Sequence, residues 1–551
     1  MTHLVRILNE FYMFSGLKTN VDKSMSMFFG RNQHEINVKV PFEDSPFQWV
    51  DEIKFLGIYL SHDLSSTEKN YDEKLSEIKK VCANWRYRFL SEYGRMTIVN
   101  TLCLSKIAHL SLVLPYLSEN KKKELEDFLI KFIWKSGRRK VNIKDARCPK
   151  SEGGLDLFDL NAAWGSFRIK WLSKAFKNDK EIYTKTLQTD ICINVPGAEI
   201  YNIEKITLNQ FDLMRKNLNS IFWQEAFEAL LTCIKAYIKK YPVKIFTVNF
   251  WDNPMFKIGQ RKILPPSMDI RERIFLPVHL IDREESETLV FLSREQANEK
   301  YQVQFPRIFY NNLITALMNV CFEKNIFYNP FDIYEPIIPT IPEILLKQEK
   351  GCSYWSKLIK YETNDNSNIS VRHRKWETVM NIDEGTINWI KLYSINGQIK
   401  FCNKYKFFHY QLVRYNLLTK RHTVNYRDVD DLCSFCQNEP EKMVHLMFQC
   451  TIVQNLINEI RNSINRLVYQ FSPDYLNDPF KLLLGHGIDT PDCRNFVLGI
   501  NIARYVWVAK HKDIIPNLNG FKNFFKFFIT KQKFVGKLTC INALNPNDMW
   551  L

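Results

Sequence analysis

Four residues near the end of the chain constrain its fold most: Cys433-x2-Cys436-x8-His445-x4-Cys450. Two cysteines separated by two residues can hold one ion from a tight turn. A His and a Cys about one helical turn apart can close the tetrahedron from a following helix. Three thiolates and one imidazole leave no open position, so the expected ion is a structural Zn²⁺ rather than a catalytic one. The alternative is four residues that share a spacing and no ion.

The other cysteines bear on the compartment. The chain has 13, an odd number, and Cys82, Cys103, Cys192, Cys233 and Cys321 stand singly among apolar residues. That is the pattern of reduced core thiols in an intracellular protein, cytoplasmic and/or nuclear. Met1 to Phe14 carries His3, Arg6, Asn9 and Glu10 among its apolar residues, so it lacks the uninterrupted run of a secretion signal. No stretch reaches about 18 apolar residues without charge, so no membrane partner is expected.

The chain has 551 residues, 45% of them hydrophobic and 14% aromatic, which is ample material for globular cores. Lys and Arg exceed Asp and Glu by 76 to 60, giving a formal net charge of +16. That excess favours an anionic partner, RNA or DNA first. It is densest just before the cysteine cluster. There Lys400, Lys404, Lys406, Arg414, Lys420, Arg421 and Arg427 interleave with Phe401, Tyr405, Phe407, Phe408, Tyr410, Tyr415 and Tyr426. Cations in such a segment can meet phosphates while rings stack on bases. The same pattern also fits an amphipathic helix with its aromatics in the core and its charges in water.

Apolar periodicity predicts a mainly helical chain with a small α+β region at its start. Leu4, Ile7, Leu8, Phe11 and Phe14 mark a helix ended by Ser15-Gly16. Residues 47–60 read as extended. Helices are expected over about 69–90, 95–113, 119–135 and 160–176, then over 205–240, 308–325, 451–468 and 494–511. The expected divisions are 1–62, a helical 63–176, a mixed and mostly helical connector 177–395, a basic and cysteine-bearing 396–470, and a helical 471–551.

The motifs fall in an order that carries information. Phe14-Ser15-Gly16-Leu17-Lys18-Thr19-Asn20 is followed by Lys23-Ser24 and then Phe55-Leu56-Gly57-Ile58. Next come Trp85, Leu90-Ser91, Gly94-Arg95 and Ile98, then Phe132-Ile133-Trp134, then Pro149-Lys150 with Gly153-Gly154-Leu155. As an ordered set these resemble the reverse transcriptase of non-LTR, LINE-type retrotransposons over residues 1–175 and 396–470.

The resemblance implies that 1–62 is the end of a polymerase palm, with a Phe-Leu-Gly hairpin as primer grip, and that 63–176 is its helical thumb. It implies nucleic-acid contacts from Lys23, Phe55, Leu56, Gly57, Arg88, Arg95 and Lys106, besides Lys404, Lys406, Arg414, Lys420 and Arg421 of the basic segment. The family's lysine after the Ser-Gly-Leu turn is thought to assist pyrophosphate departure, and Lys23 matches it. The eight residues between Cys436 and His445, against four in a retroviral zinc knuckle, set this segment apart from that knuckle.

Polymerases of this kind need paired carboxylates holding two Mg²⁺. No Tyr-x-Asp-Asp occurs in the chain, and in the family those carboxylates precede the Ser-Gly-Leu segment. Tyr426-Arg427-Asp428 with Asp430-Asp431 reads as a solvated turn. The expectation is a truncated RNA-directed DNA polymerase segment, nucleic-acid-binding and inactive alone, with Mg²⁺ needed only by a full-length polymerase. Two other readings remain: a co-opted RNA- or DNA-binding zinc protein, and a structural zinc protein whose charge only solvates it. Gly-x-Ser-x-Gly, His-Glu-x-x-His and P-loop motifs are absent from the sequence.

Overall fold

The computed structural model describes residues 2–27, 47–61, 66–135, 141–150, 153–177, 180–198, 200–282, 288–326, 340–346, 351–363, 367–383, 386–398, 402–424, 430–464, 473–485, 494–535, 545 and 547–550. The chain is mainly helical, with four small two-stranded sheets among the described residues. It forms two compact units. The first comprises residues 1–87, 101–128 and 161–356, and the second 88–100, 129–160 and 357–551. No helix among the described residues is long and apolar enough to cross a membrane.

In the first unit the helix Thr2–Ser15 ends at Gly16, whose φ of +72° suits a glycine. Strands Glu52–Phe55 and Ile58–Ser61 pair antiparallel, Phe55 opposite Ile58. Their turn puts Leu56 at φ +49° and Gly57 at φ +83°, the two left-handed positions that a two-residue hairpin turn of the right twist requires. Asn70, on the helix Thr67–Arg86, holds the second strand. Its side chain accepts from Tyr59 N–H at 2.8 Å and donates to Tyr59 C=O at 2.7 Å, as a third strand would.

Deeper in this unit, Arg168 is fully buried. Its guanidinium donates to the carbonyls of Ser111 and Leu114, the latter at 2.6 Å, and its Nε donates to Glu225 at 2.9 Å. Those carbonyls lie where the helix Leu104–Ser111 ends and have no intrahelical partner, so a buried cation serves as the cap. Burial pushes the Glu225 carboxyl above its usual range despite Arg168.

The expected helix over 95–113 is divided. Ser91 caps Glu92–Ile98 by accepting from Gly94 N–H at 3.2 Å, a π turn follows at Val99–Cys103, and an α-helix resumes at Leu104–Ser111. The extra residue of a π turn rotates the apolar face, so one continuous 3.6-residue stripe does not describe the segment.

The second unit is built on aromatic and aliphatic residues from distant parts of the chain, among them Trp376, Phe408, Leu412, Leu446, Val453, Phe496 and Phe525. Its helices include Ser367–Met380, Asn403–Val413, Thr451–Ser463, Arg494–His511 and Leu518–Val535. The Gly153-Gly154 pair is a packing device here. A Cβ on Gly154 would sit 1.8 Å from the Cys148 carbonyl oxygen, so no side chain fits. Arg414 spans the core, donating to Gly153 C=O at 3.1 Å and pairing with the buried Asp145 carboxylate.

Candidate metal centre and nucleic-acid interface

The cysteine segment is a small closed knuckle before it is a metal site. Leu432 bridges to Pro440 antiparallel, Cys433 N–H donates to Glu439 C=O at 2.7 Å, and Gln437 N–H donates back to Cys433 C=O at 3.1 Å. Gln437 accepts φ +56° to make the turn. A π turn, His445–Gln449, leads to Cys450, which stands immediately before the helix Thr451–Ser463.

This backbone path brings the four expected ligands together. Their donor atoms all lie within 4.8 Å of one another. Cys433 Sγ and Cys450 Sγ are 3.9 Å apart, and Cys436 Sγ is 3.3 Å from His445 Nε2. A tetrahedral ion with bonds of about 2.3 Å to sulfur and 2.05 Å to nitrogen has edges of about 3.8 and 3.6 Å. The residues present therefore fit a Zn²⁺ ion on both spacing and donor type. Cys433, His445 and Cys450 are buried and Cys436 is half-buried, which suits a closed structural site.

Local electrostatics favour thiolate at Cys450. The hydrogen bond from Cys433, aided by the N–H groups of Val453 and Ile452 at the helix start, holds the Cys450 thiol down to about 7. The Cys433 thiol, as donor to Cys450 and under burial, is pushed up. A bound dication removes the need for that shared proton. Glu439 approaches His445 Nδ1 to 3.0 Å, without the alignment of a full hydrogen bond, on the side away from the ion. That placement suits a carboxylate which orients a metal-bound imidazole.

One residue that sequence reasoning missed braces the knuckle. Glu441 is fully buried. Its carboxylate accepts from Ser434 N–H at 3.0 Å, from Lys420 N–H at 2.7 Å and from the Ser434 hydroxyl, and it pairs with Lys510 at 2.5 Å. Burial pushes its carboxyl up, but Lys510 and these donors outweigh burial and hold it below its usual range. A glutamate between metal ligands reads as a solvated loop in sequence, and Lys510 lies 69 positions further on.

The expected nucleic-acid contacts divide by burial. Arg95 and Arg414 are each about 1% exposed, and this corrects both expectations. Arg95 Nη1 donates to Phe132 C=O at 2.7 Å and its guanidinium lies 5.0 Å from the Phe132 ring centroid. Arg414 is committed to Asp145 and Gly153, as above. A guanidinium enclosed this way cannot reach a phosphate without unfolding its surroundings.

Tyr405, Phe407, Phe408, Tyr410 and Tyr415 are all core residues, so stacking on bases is not their role in this conformation. Phe401, Tyr426, Arg427 and Asp428 lie outside the described residues, so the expected turn at 426–431 is described only from Asp430 on. Asp430 and Asp431 pair there with Lys420 at 3.2 Å and Arg421 at 2.5 Å. Lys106 pairs with Glu77 at 2.8 Å. Lys23, Arg88 and Lys404 are exposed and Lys406 is half-buried. Desolvation and the neighbouring Arg504 and Lys531 lower Lys404 from its ordinary value, a sign of crowded positive charge. Phe55 and Leu56 are exposed at the hairpin tip, 60% and 83%.

No protein-family model matches the chain.

Proposed function

We propose that this chain is the carboxy-terminal part of a non-LTR retrotransposon RNA-directed DNA polymerase, which binds nucleic acid and does not polymerise by itself. The observation that carries the reading is the ordered motif set. It runs from Ser15-Gly16-Leu17 through the Phe55-Leu56-Gly57 hairpin tip to the converging Cys433, Cys436, His445 and Cys450. The exposed hairpin tip supports it, because a primer grip has to present its turn. The net charge of +16 supports a polyanionic partner. In this reading Zn²⁺ is structural, held by three thiolates and Nε2 of His445. The ion supplies cross-linking of the knuckle and no step of a reaction. Lys23 has no partner chemistry in the absence of the family's metal-binding carboxylates.

A second reading is favoured by the intact ligand set: a non-enzymatic RNA- or DNA-binding zinc protein that keeps the cysteine knuckle for its own sake.

Primer extension on an RNA template with Mg²⁺, run beside salt-dependent RNA binding, tests the proposal. Binding that weakens steeply with salt, without extension, is expected. Extension by this chain would overturn it, because carboxylates within the chain would then be holding the catalytic metals. Salt-insensitive or absent binding would remove both readings in favour of a purely structural zinc protein.

A further inference from the structure

The second unit holds a basic cleft that neither the motif set nor the zinc ligands predict. It has a volume of about 340 Å³ and is lined by Arg374, Lys375, Thr378, Val379, Tyr415, Arg421, His422 and Lys442. Four of these eight residues are permanent cations, and none of the lining is acidic.

The cleft is a consequence of how three elements are pinned. The helix Ser367–Met380 is fixed by Trp376, which is fully buried and donates from Nε1 to Val413 C=O at 3.0 Å. Glu377 beside it is buried and accepts from Trp389 Nε1 at 3.1 Å. With those two positions inward, Arg374, Lys375, Thr378 and Val379 form the exposed helix face. The short helix Lys420–Thr423 makes the second wall. Its His422 Nδ1 lies 2.9 Å from the Thr419 hydroxyl, which sets the ring. Lys442, three residues before the ligand His445, makes the third. Tyr415 forms the floor, with φ +49° at the end of the helix Asn403–Val413 and its ring edge-on to Trp376 at 5.2 Å.

We propose that this cleft binds single-stranded nucleic acid, taking one nucleotide at a time. The inference rests on the nucleic-acid-binding reading above and names the site and the strandedness. Two properties point to a single strand. A cleft of about 340 Å³ is of the size that takes one small ligand, not a duplex with its bases paired and stacked inside. Its lining also combines cations for the backbone with the Val379 side chain and the Thr378 hydroxyl for a base, above a floor closed by the buried Tyr415 ring. Four cations exceed what one free phosphate needs and suit a backbone that enters and leaves. Asp431 takes part of the charge of Arg421, at 2.5 Å, so the exposed Lys375 and Lys442 are the cations to test.

The test uses the full zinc-loaded chain and fluorescence anisotropy with a labelled 12-nucleotide RNA, single-stranded or annealed to its complement. Lys375→Ala with Lys442→Ala is compared with Lys512→Ala with Lys526→Ala, an equal loss of charge on exposed lysines of the same unit that do not line the cleft. The cleft pair is expected to weaken single-strand binding about tenfold and to flatten its salt dependence by about 1.4, or 0.7 for each lost phosphate contact. Duplex binding and zinc content stay as in the unmodified chain, and the control pair changes single-strand affinity less than twofold. Equal losses from both pairs, or the same loss on duplex, would overturn the cleft as a single-strand site. So would displacement of the RNA by ATP at equal concentration, which would make it a free-nucleotide site. If the unmodified chain binds and the cleft pair binds equally well, only the cleft falls. If the unmodified chain binds neither form, the nucleic-acid reading falls with it.

Discussion

The cysteine knuckle and the Phe-Leu-Gly hairpin are both short motifs, and they behave oppositely in the structure. In the knuckle every motif residue turns inward to a common point, with donor atoms within 4.8 Å. In the hairpin Phe55 and Leu56 turn outward, 60% and 83% exposed. The knuckle is complete once it closes, because its ligands satisfy one another or one ion. The hairpin is shaped by its turn and by Asn70, and its motif side chains face solvent. A motif whose chemistry is internal can be judged from its own geometry. A motif whose chemistry is external cannot.

Removing the ion is the strongest way to separate the two. Structural Zn²⁺ contributes on the order of 10 kcal/mol in small zinc modules. Chelation, or Cys450→Ser, is expected to release zinc stoichiometrically and to expose amides of residues 430–464 to hydrogen exchange. The hairpin amides at 52–61 should exchange as before. Zinc release measured with a chromogenic chelator, followed by exchange mass spectrometry, checks both. Protection of 430–464 that survives chelation would show the knuckle to be held by packing and Glu441 alone.

Arg414→Ala is the next largest effect. It removes the Arg414 guanidinium from the buried Asp145 carboxylate, for a loss of about 3–5 kcal/mol in denaturant unfolding. A residue making phosphate contacts from the surface would change by less than about 0.5 kcal/mol, so this measurement distinguishes the core role from the one expected from sequence.

Acid sensitivity comes third. His409 is fully buried with Nε2 3.1 Å from Leu484 C=O, and burial lowers it to about 4; His373, stacked on Trp389, is likewise lowered to about 4 by burial and then Arg414. Their folded values lie below the unfolded value of 6.5, so the neutral rings contribute stability above pH 6.5 that is lost as pH falls towards 4. Unfolding midpoints of the chelated chain and of its His409→Gln variant, compared between pH 7 and 5, should converge as pH falls.

The smallest effect is at the hairpin. Leu56→Gly relieves a left-handed leucine and loses no buried surface, so stability should rise by about 1 kcal/mol. If the tip grips nucleic acid, the same change should weaken RNA binding. A gain in stability with unchanged binding would remove Leu56 from the interface.

Legibility followed the same division as the motifs. Helices at Leu160–Lys177, Arg307–Glu323 and Arg494–His511 could be read from apolar spacing, because each packs its apolar residues into a core; Thr2–Ser15 could be read from the same spacing although its Leu4, Ile7, Phe11 and Phe14 are exposed. The split at Val99–Cys103 could not, since a π turn changes the period without a distinctive residue. The four residues that could hold a metal ion were legible because thiols and imidazole at such spacing have few other uses. Glu441, Lys510 and the Arg374–Lys442 cleft could not, because each depends on residues brought together from separate helices.

The amino-acid sequence by itself determined the helical character, the ligand set, the positive charge and the motif order, which are properties of spacing and composition. Tertiary structure alone decided which cations are available to a partner. Arg95, Arg168 and Arg414 look like any surface arginine in sequence, and packing converts them into core cross-links. Lys375 and Lys442 remain on the surface because Trp376 and His445 occupy the buried positions beside them. A long cationic side chain is compatible with either fate, and only the neighbours that enclose it determine which one it takes.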